Sequence, residues 1–239
     1  MLPIKPSPCE GRGPAFFQFE LESWIPAFAG MTGRWDFWNI EKREMPSPKP
    51  YHHGDLREQL LNAGELALGE MAVEQVSLRE IARRAGVSHA APKHHFPSLG
   101  HLLGEIAARG YQRFVSALDE AADASPDQSP EARMLAMSRA YLRFAEQNPA
   151  AYQLMFGQHE PIVMTPSLID ASYTAWSQLV EAVTAIVGPT RAQAAALHIW
   201  SSVHGLSTLK QAGRLPPDLP WHNVGELKLR MMMEGLKAE

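Results

Sequence analysis

The residues best suited to bind another molecule are gathered in a short stretch of the chain, between positions 77 and 95. Hydroxyl, imidazole and cationic side chains follow one another closely there: Ser77, Arg79, Arg83, Arg84, Ser88, His89, Lys93, His94 and His95. Lysine and arginine bind phosphate groups, while serine and neutral histidine hydrogen-bond to phosphate oxygens or to base edges. The stretch is therefore suited to nucleic-acid binding rather than to bond-breaking chemistry.

Patterns typical of catalysis are missing from the sequence. There is no recognisable Ser/His/Asp or Cys/His arrangement, no glycine-rich phosphate loop and no motif with paired carboxylates, so we expect a protein that is not an enzyme and needs no cofactor. A zinc site made of His94, His95 and His101 is disfavoured, because no cysteine and no His-x-x-x-His pair accompanies them.

The binding residues are predicted to lie on short helices. Apolar residues recur every three or four positions from Leu56 to Met71, which indicates an amphipathic first helix that ends near Gly69. Ser77 is suited to cap a second helix over 78–85. Gly86 can end that helix, because a left-handed conformation costs glycine little.

A third short helix is predicted over 89–95, capped by Ser88. Two short helices joined by a tight glycine-containing turn form a helix-turn-helix, whose second helix enters the major groove of DNA in nucleic-acid-binding proteins. The segment 49–110 carries seven basic and seven acidic residues, so the case for DNA depends on where the cations lie. Arg79, Arg83, Arg84 and Lys93 all lie in the helix pair.

Three sequence blocks resemble the DNA-binding domain of the TetR family of transcriptional regulators: YHHGDLR at 51–57, SLREIARRAGVS at 77–88 and HHFPS at 94–98. The resemblance implies a dimer that binds palindromic double-stranded DNA. It places His89, Ala90 and Ala91 at base edges and Phe96 in the core. The DNA backbone would be held by Ser77, Ser88, Lys93 and His94. Arg79 is expected to contact the DNA as well.

Three positions depart from the family pattern. Lys93 stands where many members have tyrosine, so a point charge replaces a ring and binding should depend more on salt. Leu99 occupies a position that is often lysine, which removes a phosphate contact. Pro92 lies in the first turn of the third helix and removes the donor to the Ser88 carbonyl, a loss that we expect the helix to tolerate.

The rest of the chain is predicted to be helical as well, without β-strands. Helical periodicity places the further helices at 99–122, 130–147, 152–156, 166–187, 190–213 and 224–237. Ser129-Pro130 and Thr165-Pro166 are expected to start the second and fourth of these helices, and a capping box of Thr190 and Gln193 the fifth. The helix at 99–122 would be about 36 Å long and could carry a displacement between domains. The helix at 190–213 has little polar face, so we expect it to be buried in a core or in a subunit interface.

Trp200, His204 and Gly205 follow the order Trp-x-x-x-His-Gly and, with segments 141–145 and 148–156, resemble the WHG-type C-terminal domain of part of the TetR family. The resemblance implies a dimeric four-helix bundle and an effector pocket. The residue types suited to such a pocket are Tyr152, Met155, Phe156, Tyr173, Trp176 and His204. A core role is the alternative for each of them and is the more frequent one for methionine and aromatic residues at helical spacing. It is also favoured for the pair Trp200 and His204.

Composition bounds the remaining possibilities. The chain has 239 residues, a net charge of −4 and one cysteine, Cys9, which fits a reducing cytoplasm. No stretch approaches the roughly 18 uncharged apolar residues of a membrane span, so a transmembrane protein is excluded. Residues 1–44 hold eight of the fifteen Phe and Trp residues, broken up by prolines and glycines. We interpret them as a mis-translated leader before a true start at Met45, with a disordered extension and an aromatic docking arm as alternatives.

The sequence therefore predicts an all-α protein with a leader at 1–44, a helix-turn-helix domain at 45–98 and a helical effector-binding and dimerisation domain at 99–239. The expected function is that of a cytoplasmic, homodimeric transcriptional regulator, most simply a repressor released by a small apolar or aromatic molecule. The alternatives are an activator of the same family and a helical interaction protein that no longer binds DNA.

Overall fold

The computed structural model describes residues 53–157 and 162–236, which form α-helices and short 3-10 turns with no β-strand among them. The predicted all-α fold is confirmed for this part of the chain. The leader at 1–44 lies outside the described residues. The helices are α1 (His53–Glu70), α2 (Leu78–Arg84), α3 (Leu99–Asp123), α4 (Pro130–Gln147), α5 (Pro149–Phe156), α6 (Pro166–Val187), α7 (Ala192–Gln211) and α8 (Trp221–Gly235).

The helix α3 is the element around which the others pack. It runs for 25 residues, about 38 Å at 1.5 Å per residue, and packs against α1, α4, α5 and α6. Two of its glycines allow close approach. A Cβ on Gly104 would lie 2.3 Å from the Val163 carbonyl oxygen, and one on Gly110 would lie 2.8 Å from the Met155 sulfur. These positions are closed to any larger residue unless a neighbour shifts.

Most helix starts were correctly predicted from cap residues. The predicted caps are Ser77, Ser129 and Thr165, whose hydroxyls accept from the amides of Glu80, Ala132 and Leu168. At the start of α3 the Ser98 hydroxyl, which the sequence did not identify as a cap, accepts from the His101 amide. The start of α7 was not predicted correctly. The predicted cap at Thr190 is wrong, because a turn continues to Arg191 and no side chain caps the helix.

In the single chain the helix α7 is only partly buried. Ile199 and Val203 face the core, but Leu197 and Leu209 are about half exposed, at 47% and 48%. Two apolar residues of α8, Leu227 and Met231, are also exposed. Among the described helices none has the length and apolarity needed to cross a bilayer.

Candidate functional site

The corner between α2 and the residues that follow it has the geometry of a helix-turn-helix. The Ser77 hydroxyl accepts a hydrogen bond from the Glu80 amide at 3.2 Å and so starts α2. Gly86 has φ +69°, the left-handed conformation that glycine adopts without strain. The Val87 amide then donates to the Ala82 carbonyl at 3.0 Å, which closes the turn.

The reading segment, residues 89–95, is not the α-helix that the sequence predicted. It consists of a turn at 89–90 and a 3-10 helix, Ala91–His94, whose N-cap is Ala90 rather than Ser88. Pro92 explains the difference. Because proline has no amide hydrogen to give to the Ser88 carbonyl, the Ala91 amide donates to it instead, at 3.0 Å and at the shorter 3-10 spacing.

The reading segment is anchored by buried residues at its centre and at its end. Pro92 and Phe96 are almost completely buried, as expected for Phe96. The guanidinium of Arg57, on α1, lies 5.4 Å from the centre of the Phe96 ring, within the range of a cation–π contact. The anchor therefore joins the reading segment to α1.

The predicted DNA-contacting residues lie at the surface of this corner. Ala91 is half-buried, and the other seven are exposed: Ser77, Arg79, Ser88, His89, Ala90, Lys93 and His94. They are thus accessible to a large partner, and they come from two consecutive elements of one motif.

The cations of the corner differ in how far they are neutralised. Both Arg83 and Arg84 bind the Glu80 carboxylate at 2.7 Å, and Arg84 also binds Glu70. Hydrogen bonds from Arg83 and Arg84 hold the pKa of Glu80 at about 2. Within the described part of the chain Arg79 and Lys93 form no ion pair, so they are the cations best placed to meet phosphate.

A second candidate site is an aromatic cluster between α3, α4, α5, α6 and α7. Neighbouring ring centres lie 4.9 to 6.5 Å apart, mostly in edge-to-face or tilted arrangements typical of stabilising aromatic pairs. The rings belong to Tyr111, Phe114, Tyr141, Phe144, Tyr152, Phe156, Trp176, Trp200 and His204.

Three polar atoms meet at the centre of the aromatic cluster. The His204 Nδ1 lies 2.9 Å from the Tyr141 hydroxyl and 2.8 Å from the Tyr152 hydroxyl, and the two hydroxyls are 3.3 Å apart. Burial lowers the pKa of His204 and raises the pKa of both tyrosines. All three groups are therefore uncharged at neutral pH, and the unprotonated Nδ1 can accept a tyrosine hydrogen.

The structure brings most of the predicted effector residues together. Tyr152, Phe156 and His204 contact one another, and the Trp176 ring lies 6.0 Å from that of Trp200. Met155 is buried, and its carbonyl accepts from the Tyr111 hydroxyl at 3.3 Å. Tyr173 is different, because it is 64% exposed on α6.

Sequence reasoning missed Tyr141, which is as central to the cluster as Tyr152. Tyr141 lies in the segment 141–145, and the apolar pattern of a single helix does not show which of its buried rings faces His204. A separate open cleft of about 220 Å³ lies between the end of α1 and α5. Its walls are mainly aliphatic, with Leu68, Met71 and Leu154 among them, so the aromatic cluster offers more specific contacts.

The comparisons with known proteins agree with this architecture. Residues 134–227 match the family described as "Tetracyclin repressor-like, C-terminal domain". A Rhodococcus sp. RHA1 protein of unknown function is 33% identical with a TM-score of 0.69, over 80% of this chain and 100% of that chain. No match was found among curated proteins.

Two more distant structures share the fold. A TetR family transcription regulator from Marinobacter aquaeolei VT8 is 15% identical, with a TM-score of 0.56 over 76% of this chain and 95% of that chain. The multidrug binding protein EbrR, solved with imidazole, is 19% identical, with a TM-score of 0.52 over 75% and 93%.

Proposed function

Since the chain belongs to the TetR family of transcriptional regulators, we propose that it represses transcription by binding an operator in double-stranded DNA and is released by a small molecule. The observation that carries the proposal is the helix-turn-helix corner, with its capped α2, its left-handed Gly86 and its exposed polar residues. The proposed role of the protein is regulatory rather than enzymatic. The proposed location is the cytoplasm, where the operator lies.

In the proposed complex the reading segment lies in the major groove. His89, Ala90 and Ala91 face base edges, and the DNA backbone is held by Ser77, Arg79, Ser88, Lys93 and His94. The exposure of these side chains and the unpaired state of Arg79 and Lys93 in the described structure support this assignment. The DNA-binding domain then corresponds to residues 45–98.

In the proposed complex the protein is a homodimer that binds a palindromic operator. Support comes from the exposed apolar side chains of neighbouring helices: Leu197 and Leu209 on α7, and Leu227 and Met231 on α8. Exposed leucines and methionines on packed helices are suited to pair with a second copy. A two-fold arrangement also presents two reading segments to two half-sites.

We place the effector site at the aromatic cluster, within the domain formed by residues 99–239. The proposed contacts are Tyr152, Met155, Phe156, Trp176 and His204, with Tyr141 added and Tyr173 at the outer edge. The neutral polar centre and the surrounding rings favour an uncharged aromatic molecule with one hydrogen-bonding group, since a buried ion would find no opposite charge there. That EbrR is a multidrug binding protein is consistent with an apolar effector site in this fold.

The proposal predicts sequence-specific DNA binding that weakens with salt. The direct experiment selects bound fragments from random duplex DNA and from the DNA flanking the gene, followed by gel shifts at several salt concentrations. A palindromic sequence bound in preference to its scrambled version would support the proposal. Salt-sensitive binding without sequence preference, or no binding, would instead favour the alternative of a helical interaction protein that no longer binds DNA as a regulator.

The sign of regulation is tested in cells. A reporter under the selected operator should be silent in the presence of the protein and active in its absence, if the protein is a repressor. The reverse result would identify an activator, and it would leave the DNA-binding assignment intact.

A further inference from the structure

The backbone hydrogen bonds of the reading segment do not fix its direction relative to the other helices. They join residues that are neighbours in the chain: the His95 and Phe96 amides, for example, both donate to the Pro92 carbonyl, at 3.0 and 2.8 Å. A helix this short is stabilised mainly by the packing of its buried side chains. Pro92 and Phe96 are almost completely buried, so the direction of the segment depends on what holds these two residues.

The Phe96 ring is in contact with a cation from another helix. The guanidinium of Arg57, on α1, lies 5.4 Å from the centre of the ring. The same guanidinium forms an ion pair with Glu105, on α3, whose side chain is only 15% exposed, and it lies 3.9 Å from the Glu58 carboxylate. A planar guanidinium can bind a carboxylate through its edge while its face lies on a ring. Arg57 therefore links Phe96 to α1 and α3 at once.

The surroundings of Arg57 favour a role inside the protein rather than at a phosphate. Two carboxylates lie within 4 Å of its guanidinium, and its side chain is 39% exposed. In the described part of the chain Arg79 and Lys93 are exposed and form no ion pair. A cation beside carboxylates attracts a phosphate less than a cation without such partners does. Arg57 is thus suited to position the reading segment.

We propose that Arg57 is a positioning residue for operator recognition. By holding Phe96 from α1 and α3, it sets the direction of the reading segment and so the alignment of His89, Ala90 and Ala91 with the base edges. Arg57 does this without contacting the DNA. This inference rests on the proposed function, and it adds to that function a determinant of sequence preference that lies outside the helix-turn-helix.

Arg113 provides a matched control at the same pair of helices. It lies on α3 and binds Glu65, on α1, at 3.0 Å. Its side chain is 47% exposed, close to the 39% of Arg57. Arg57→Met and Arg113→Met each remove an ion pair between α1 and α3, but only the first removes the cation–π contact with Phe96. The comparison separates positioning of the reading segment from simple stabilisation of the interface.

The first measurement needs no DNA. Hydrogen exchange of the Phe96 amide, which donates to the Pro92 carbonyl, reports local opening at the end of the reading segment. In the full chain we expect Arg57→Met to speed this exchange by about two- to fivefold, the factor that corresponds to a partly exposed cation–π contact. Arg113→Met should leave the exchange unchanged. Unchanged exchange in Arg57→Met, or equal acceleration in both variants, would overturn the proposal.

The second measurement compares the selected operator fragment with its scrambled version in gel shifts at several salt concentrations. Arg57→Met should reduce the preference for the operator by about threefold or more. The salt slope should stay that of the unmodified protein, because no phosphate contact is lost. An unchanged preference would overturn the proposal. So would a slope smaller by about one unit, which would make Arg57 a direct phosphate contact.

A second variant serves if Arg57→Met does not fold. Arg57→Lys keeps the aliphatic stem and the charge but lacks the planar face, so exchange should still be faster and the operator preference still lower. Unchanged values in Arg57→Lys would overturn the proposal. Failure of the unmodified protein to bind any DNA would instead contradict the proposed function, whereas the exchange measurement would still decide whether Arg57 holds the reading segment.

Discussion

The Nδ1 atom of His204 lies within hydrogen-bond distance of two buried tyrosine hydroxyls. Replacing His204 with leucine removes this partner from both hydroxyls, which keep each other at 3.3 Å, and a hydrogen bond lost by a buried hydroxyl is costly. We expect His204→Leu to lower the free energy of unfolding by about 2 kcal/mol in urea denaturation. Tyr173→Leu, at a residue that is mostly exposed, should change it little. Equal effects of the two changes would argue against a structural role for the polar centre.

His204 should also shape the pH dependence of stability. Burial lowers its pKa below 6.5, so below that pH the unfolded chain binds a proton that the folded chain excludes. Its contribution is fully present above about 6.5 and is lost as the pH falls toward the folded pKa. The unmodified protein should therefore lose more stability than His204→Leu between about pH 7 and pH 5.5.

Lys93 tests the assignment of the DNA-contacting residues at the level of one charge. Removing one phosphate contact should weaken operator binding and reduce the salt dependence of log K by about one unit of slope. Lys93→Ala is compared with Arg143→Ala, a change at an exposed cation on α4, far along the chain from the corner. Gel shifts at several salt concentrations give both quantities. A slope that is unchanged in Lys93→Ala would remove Lys93 from the interface.

At the scale of elements, the contact between α3 and the start of α6 depends on the absence of a side chain at Gly104. Gly104→Ala would force its Cβ against the Val163 carbonyl, and overpacking of this kind costs about 1 to 3 kcal/mol. Gly69→Ala is the control, since nothing lies within 4 Å of its added Cβ, and alanine in a helix should stabilise by up to about 1 kcal/mol. Thermal unfolding of both variants measures the difference, and destabilisation by both would contradict the packing argument.

The helices themselves were largely predictable, because local signals determine them. The helix predicted at 99–122 is observed at Leu99–Asp123, and the one at 166–187 is observed at Pro166–Val187. The α-helix predicted for the reading segment is wrong. An α-helix was expected to tolerate the missing amide hydrogen of Pro92, but the segment adopts 3-10 hydrogen bonds instead. The capping prediction at Thr190 failed because side-chain spacing alone does not establish where the backbone becomes helical.

The sites were less predictable than the helices, because they depend on contacts between distant residues. The DNA corner is contiguous in sequence, and its exposed residues could be selected from one motif. Arg57 and Glu105 are 48 positions apart, and no periodicity links them. Similarly, Glu80 neutralises Arg83 and Arg84, so two of the four cations that suggested a basic face are occupied within the protein.

For the whole molecule, the proposed dimer gives a test based on two similarly exposed residues. Met231 on α8 is 62% exposed and Leu66 on α1 is 66% exposed, so a charge at either costs the single chain little. Met231→Glu should convert the dimer to monomers, because it places a carboxylate in an apolar interface, whereas Leu66→Glu should not. Light scattering after size-exclusion chromatography measures the mass. Dimers in both variants would place the interface elsewhere.

The short reading segment limits how many base pairs one subunit can recognise directly. Ala90 and Ala91 have no hydrogen-bonding group in their side chains, so the base feature that they can recognise directly is the methyl group of thymine. With a single 3-10 turn between His89 and the buried Phe96, each half-site is defined by few base pairs. An isolated half-site would therefore occur by chance throughout a genome. The protein can distinguish its operator only by requiring two half-sites at a fixed separation and helical phase. An insertion of half a helical turn between the half-sites should therefore weaken operator binding more than any single base change.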